Sequence, residues 1–219
     1  IRQSLVGSEM CIRDRIESDE IIVQAVDDLI LCEPLFADVI KHTGVPKLRL
    51  RSDGFQTLLQ AIVSQQVSVA AANAIWSRLE FENFLDPHKI LQTNEVHLKA
   101  VGLSRQKIRY AKALAAADLD YMDLRKKGDD EVIKILTEVP GIGVWTAEIY
   151  AMFSLKRADV FAAGDLALKE SARLLFSLDE RPNEGELRVL SKKWSPWRSV
   201  AALLLWDYYG FTKNREGVV

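Results

Sequence analysis

A few short stretches of the chain hold the residue types that could do chemistry. In DVFAAGDLAL (159–168), Asp165 follows a run of small residues. A carboxylate fixed at such a place can stabilise a developing positive charge and orient a water molecule. Asp165 also suits the N-cap of the helical pattern DLALKESARLLF (165–176), because aspartate is a preferred cap, and on spacing alone the cap is the favoured reading. Upstream, EVPGIGVWTA (138–147) is a tight Pro-Gly turn opening a helix. Gly141 and Gly143 permit positive φ and leave backbone amides uncovered at a helix N-terminus, which suits one phosphate of a nucleic-acid backbone. A plain helix–helix turn accounts for the same residues. Gln65 and Gln66 sit at a polar junction in SQQVSVAAANAIW (64–76). Basic residues gather in GLSRQKIRYAK (102–112) and KKWSPWR (192–198), where Arg105, Lys107 and Arg198 could meet phosphates and Gly102 and Ser104 expose another helix start. Solvated helix faces have the same composition.

The elements that must position these residues read as helices. Apolar residues recur at helical spacing over 20–31, 34–43, 54–66, 68–80, 95–102, 104–119, 129–139, 143–155, 165–176, 183–194 and 196–210. LRLRS (48–52) is too short and too isolated to build a sheet. The expectation is an all-α fold of about ten helices with short connections and no repeat. Residues 1–15 show no sustained period and begin with Ile1, so they are set aside as a non-native or disordered end, with 16–219 as one domain.

Composition narrows the function. At 219 residues, with 48% hydrophobic and 27% charged residues, the chain reads as an ordinary globular protein. No apolar run approaches the roughly 18 residues that span a bilayer, and no signal-peptide pattern heads the chain. A cytoplasmic or nuclear protein without a membrane partner is therefore expected. Cys11 and Cys32 form no CxxC pair, which excludes a cysteine-ligated zinc or iron–sulfur cluster. The formal net charge of −2 means that any nucleic-acid contact must come from local patches and backbone amides. Among five tryptophans, Trp76 and Trp194 are expected in the core.

LTEVPGIGVWTA (136–147) followed by DVFAAGDLAL resembles the helix–hairpin–helix DNA glycosylase superfamily, in its 3-methyladenine DNA glycosylase II branch. SQQVSVAAANAIW and KWSPWRSVAALLLW (193–206) resemble that branch too, so the likeness covers about residues 50–210. It implies a two-lobed helical bundle with a central cleft, in a compact form lacking the β-rich N-terminal domain of some members. It implies base excision repair: a damaged nucleotide is extruded from double-stranded DNA and its N-glycosidic bond is cut. Asp165 fits the catalytic aspartate, while nearby Asp159 does not match that position. Bifunctional relatives carry a lysine where this chain has Trp145, and Lys134 and Lys156 lie off the motif, so a monofunctional enzyme without lyase activity is implied.

Trp145 and Trp206 fall on family positions at the base pocket, where an electron-rich indole face attracts a cationic alkylated purine. Ile149 stands where other members have a pocket tyrosine. Gln66 falls on the wedge position that fills the gap left by the extruded base. Gln65, Gly141, Gly143, Ser104 and Arg105 complete the DNA-binding set. No cofactor is required by the likeness, although the backbone carbonyls of Thr137, Val139 and Ile142 are implied as ligands of a monovalent cation at the hairpin. A monomer is expected, nucleoid-associated in a bacterium or nuclear in a eukaryote. The rivals are a non-catalytic helix–hairpin–helix binding module, an all-α protein–protein adaptor, and an excision enzyme for oxidised or mismatched bases.

Overall fold

The computed structural model describes residues 14–213, so the expectation for residues 1–13 lies outside the described residues. Asp14 and Arg15, set aside with them, are among the described residues: Ala158 N–H donates to the Asp14 carbonyl at 3.0 Å, and Arg15 pairs in an isolated antiparallel bridge with Arg157. Among the described residues there are thirteen α-helices, one 3₁₀ turn and no strand.

The chain divides into two compact units, one formed by residues up to Leu50 and from Ala151 onward, the other by Arg51–Tyr150. In the first, discontinuous unit, α1 (Asp19–Cys32) starts at Ser18, whose hydroxyl accepts from Ile21 N–H. It buries Ile22, Ala25, Val26 and Leu29, the i, i+3, i+4, i+7 stripe that the sequence shows. It packs with α2 (Leu35–Thr43) and with α13 (Arg198–Thr212). α13 is the axis of this unit: every residue from Ser199 to Trp206 is buried, and α2 and α11 (Leu166–Leu175) lie against it. Trp194 is fully buried among Phe36, Phe161 and Phe176, with ring centroids 5.5–6.0 Å apart, as expected of a core tryptophan, whereas Trp76, expected in the core as well, is only half-buried.

The central unit packs α3 (Phe55–Ser64) against α4 (Val69–Phe81) and α7 (Arg105–Ala116), with α5 (Pro87–Gln92) and α6 (Glu95–Ala100) also on α7. The short α8 (Tyr121–Leu124) leads to α9 (Asp129–Thr137), the hairpin turn, and α10 (Val144–Phe153), within which one unit ends and the other resumes. α5 and α8 lie where the sequence reading has no helix, and the stretch read as one helix over 183–194 is α12 (Glu184–Ser191) followed by a 3₁₀ turn, Lys192–Trp194. Elsewhere the helix ends shift by at most three residues.

Candidate functional site

In the central unit, three segments converge on the hairpin. Its turn is closed by Ile142 N–H donating to the Val139 carbonyl at 3.0 Å, and Gly143 carbonyl accepts from Ala147 N–H as α10 begins. The two glycines are not equivalent. Gly141 has φ +97°, and a Cβ there would lie 2.4 Å from Tyr110 Cγ, so both the backbone conformation and the close approach require glycine. Gly143, which permits positive φ, does not use it, and a Cβ there would meet nothing within 4 Å. One glycine makes the turn against α7, and the other leaves open space at the helix entrance.

Gln65 turns inward from the loop between α3 and α4, and its Nε2 donates to the Gly141 carbonyl at 2.9 Å. The loop that carries the candidate wedge, Gln66, is thereby tied to the hairpin. Gln66 itself is exposed and holds φ +55°, an uncommon conformation for a residue with a side chain. With Gln65, Val67, Ser104, Gln106, Lys107 and Tyr110 it lines a pocket of about 220 Å³.

Ser104 caps α7, its Oγ accepting from Lys107 N–H at 3.3 Å, and Arg105 is exposed on the first turn. Lys107, expected at a phosphate, is buried instead and donates from Nζ to the Val63 carbonyl at 2.7 Å. That bond satisfies the end of α3, and burial lowers the amine's pKa. On α10, Trp145 is 45% exposed, whereas Ile149, one turn on, is buried. Thr137 is half-buried at the end of α9, and Val139 and Ile142 are buried in the turn. Their carbonyls are hard oxygen donors, and that of Val139 accepts a turn hydrogen bond.

In the discontinuous unit, Asp165 is the N-cap of α11, as the cap reading has it. Its Oδ1 accepts from Ala167 N–H at 2.9 Å and Leu168 N–H at 3.1 Å. A third donor comes from α13: the indole Nε1 of Trp206, also at 3.1 Å. Trp206 is only 3% exposed, and its ring lies 5.9 Å from that of Phe153 at 35°. This link between residues 41 positions apart left no trace in the sequence reading.

Of the other charges expected or set aside, Asp159, Arg198 and Lys156 are paired. Asp159 accepts from Arg198 Nε at 2.7 Å and Nη2 at 3.0 Å, and from Ser195 Oγ at 2.7 Å. Arg198, a candidate phosphate contact, therefore spends its planar fork on a carboxylate. Lys134 is exposed on α9, and Lys156 pairs with Glu17 at 3.3 Å. Among the described residues no cluster of His, Cys, Asp and Glu could hold a metal, and no helix is long and apolar enough to cross a membrane.

Comparison with known proteins follows this geometry. Residues 59–196 match the HhH-GPD superfamily base excision DNA repair protein family. DNA-3-methyladenine glycosylase 1 of Schizosaccharomyces pombe is 32% identical over 165 residues, covering 71% of this chain and 72% of that protein. The crystal structure of DNA-3-methyladenine glycosidase from Bacillus halodurans superposes with a TM-score of 0.79 at 32% identity, over 87% of this chain and 92% of that one. The S. pombe Mag1 structure, in complex with abasic DNA, gives 0.73 at 27% identity, over 90% and 99%. The hairpin and the capped carboxylate thus stand in a chain that belongs to the HhH-GPD superfamily of base excision DNA repair proteins, in its DNA-3-methyladenine glycosylase branch.

Proposed function

We propose that this protein is a monofunctional DNA glycosylase that hydrolyses the N-glycosidic bond of alkylated purines such as 3-methyladenine in double-stranded DNA, leaving an abasic site. The observation that carries the reading is Asp165, held at the N-terminus of α11 by two backbone donors and one indole donor. The relatives named as 3-methyladenine glycosylases support the substrate class.

An N3-alkylated adenine is already cationic. When the bond from C1′ to the base nitrogen breaks, the electron pair leaves with the base, which departs neutral. Positive charge then builds on the sugar, and the Asp165 carboxylate stabilises it and orients the water that adds to C1′. That water loses one proton. Trp145 occupies the place where a lysine amine would attack the sugar, so no Schiff base forms and the strand stays intact. The amides at the start of α10 hold a backbone phosphate, with Ser104 and Arg105 contributing a second contact. Gln66 enters the duplex where the base has left. A monovalent cation, if bound, would be held by the carbonyls of Thr137, Val139 and Ile142 and would add positive charge beside that phosphate.

The test is a set of duplexes, each with one lesion, incubated with the protein and then heated in alkali. Strand breaks after alkali only, on 3-methyladenine and 7-methylguanine duplexes, are expected. Breaks without alkali, or an adduct trapped by borohydride, would overturn the monofunctional reading.

A further inference from the structure

We infer that Trp206 is a positioning residue for Asp165, serving the reaction through its indole N–H and not through its ring face. The inference rests on Asp165 as the catalytic carboxylate. Trp206 is buried to 3% exposure, which leaves little ring face for a ligand, and one side of it packs toward Phe153. Its polar edge points at Asp165: Nε1 lies 3.1 Å from Oδ1.

The two cap donors, Ala167 and Leu168, belong to the helix that Asp165 itself begins, so they fix the carboxylate only relative to α11. The indole comes from α13, the buried axis of the same unit against which α11 packs. A donor from a second element restrains rotation of the carboxylate about Cβ–Cγ and sets which way its second oxygen faces. Stabilising a charge that exists only in the transition state depends on such preorganisation, because a carboxylate that must reorient during the reaction gives back part of the benefit. Trp206 and Trp145 therefore have different tasks. The 45% exposed ring of Trp145 can stack on a base, and the buried ring of Trp206 holds a carboxylate.

The experiment replaces Trp206 with its benzothiophene isostere, which keeps the ring's shape and π-face and substitutes sulfur for N–H. Single-turnover excision at saturating enzyme should fall about 10- to 100-fold, the loss expected for one hydrogen bond to a charged group. The fall should be equal on cationic 3-methyladenine and neutral hypoxanthine, with half-saturating enzyme concentration and thermal midpoint close to wild type. Trp206→Phe, which also lacks the N–H, should show the same equal loss with a lower thermal midpoint. An isostere within twofold of the wild-type rate, or a loss confined to the cationic base, would overturn the inference. Asp165→Asn is assayed alongside: if it remains active, the reading of Asp165 fails, whereas an inactive Asp165→Asn beside an active isostere defeats the role of Trp206 alone.

Discussion

The hairpin of the central unit and the Asp165 site of the discontinuous unit are built from different materials. The hairpin works through backbone: a left-handed Gly141 pressed on Tyr110, a carbonyl taken by Gln65, and the amides that open α10. Asp165 works through one side chain, whose Oδ1 collects two backbone donors and one indole donor. A device made of backbone fails when its shape changes and is indifferent to most side-chain chemistry. A device made of one carboxylate fails when a single atom changes with its shape intact.

The largest effect should follow from Asp165→Asn, which keeps the shape and an oxygen acceptor for the cap but removes the negative charge. Base release in single turnover is expected to fall by at least about 10²–10³-fold, the scale of losing one electrostatic contribution in a preorganised site. Binding to an abasic-site duplex should stay close to wild type. A rate near wild type would show that the carboxylate only caps α11.

Next in size is the contrast of Gly141→Ala with Gly143→Ala. At 141 the new methyl collides with Tyr110 and the backbone must hold φ +97°, which by itself costs about 1–3 kcal/mol. A lower thermal midpoint and weaker binding to damaged and undamaged duplexes alike are expected. Alanine at 143 meets open space, so the fold should hold, and a loss of affinity is the outcome expected if a phosphate sits there as proposed. Equal thermal midpoints for the two variants would show that the contact with Tyr110 yields easily.

That pair also shows what a sequence can and cannot reveal. Gly141 and Gly143 look alike in PGIG, and only the approach of α7 separates them. The stripe of α1 was legible because four buried positions repeat at helical spacing, whereas α5, with six residues, and α8, with four, are too short to show a period. Asp86 followed by Pro87 was the one available signal for α5, a cap with proline at the first helical position. Lys107 read as an exposed cation because nothing local records that the end of α3 lies beside it. The cap formed by Asp165 was legible from its residue type and the helical pattern after it; the donor from Trp206 was not, since it depends on how α13 packs on α11.

A smaller effect should separate the two tryptophans. Trp145→Leu keeps an apolar wall and removes the attraction of an exposed indole face for a cation, about 0.5–2 kcal/mol. Excision of 3-methyladenine should fall roughly 2- to 30-fold and that of hypoxanthine less. The ratio of the two single-turnover rates is the measurement, and equal losses would mean that Trp145 only shapes the cavity.

The smallest predicted effect concerns the support of α11. Glu170, buried one and a half turns beyond Asp165, accepts from Arg173 Nη2 at 2.9 Å and from Arg181 Nε at 2.9 Å. Hydrogen bonds from these two arginines pull its pKa from an ordinary 4.5 down to about 2. Because the folded value is the lower one, the stability it contributes is fully present above pH 4.5 and drains away as pH falls toward 2. Thermal midpoints measured between pH 5.5 and pH 3 should therefore drop less in Glu170→Gln than in the wild type, by on the order of 2–4 °C. The Asp53–Arg125 pair of the central unit, at 2.6 and 2.8 Å, stays intact in that variant, so the acid sensitivity left in Glu170→Gln belongs to groups outside the α11 network. Identical slopes for the two proteins would show that the arginines hold Glu170 no better folded than unfolded, leaving packing on α12 and α13 as the support of α11.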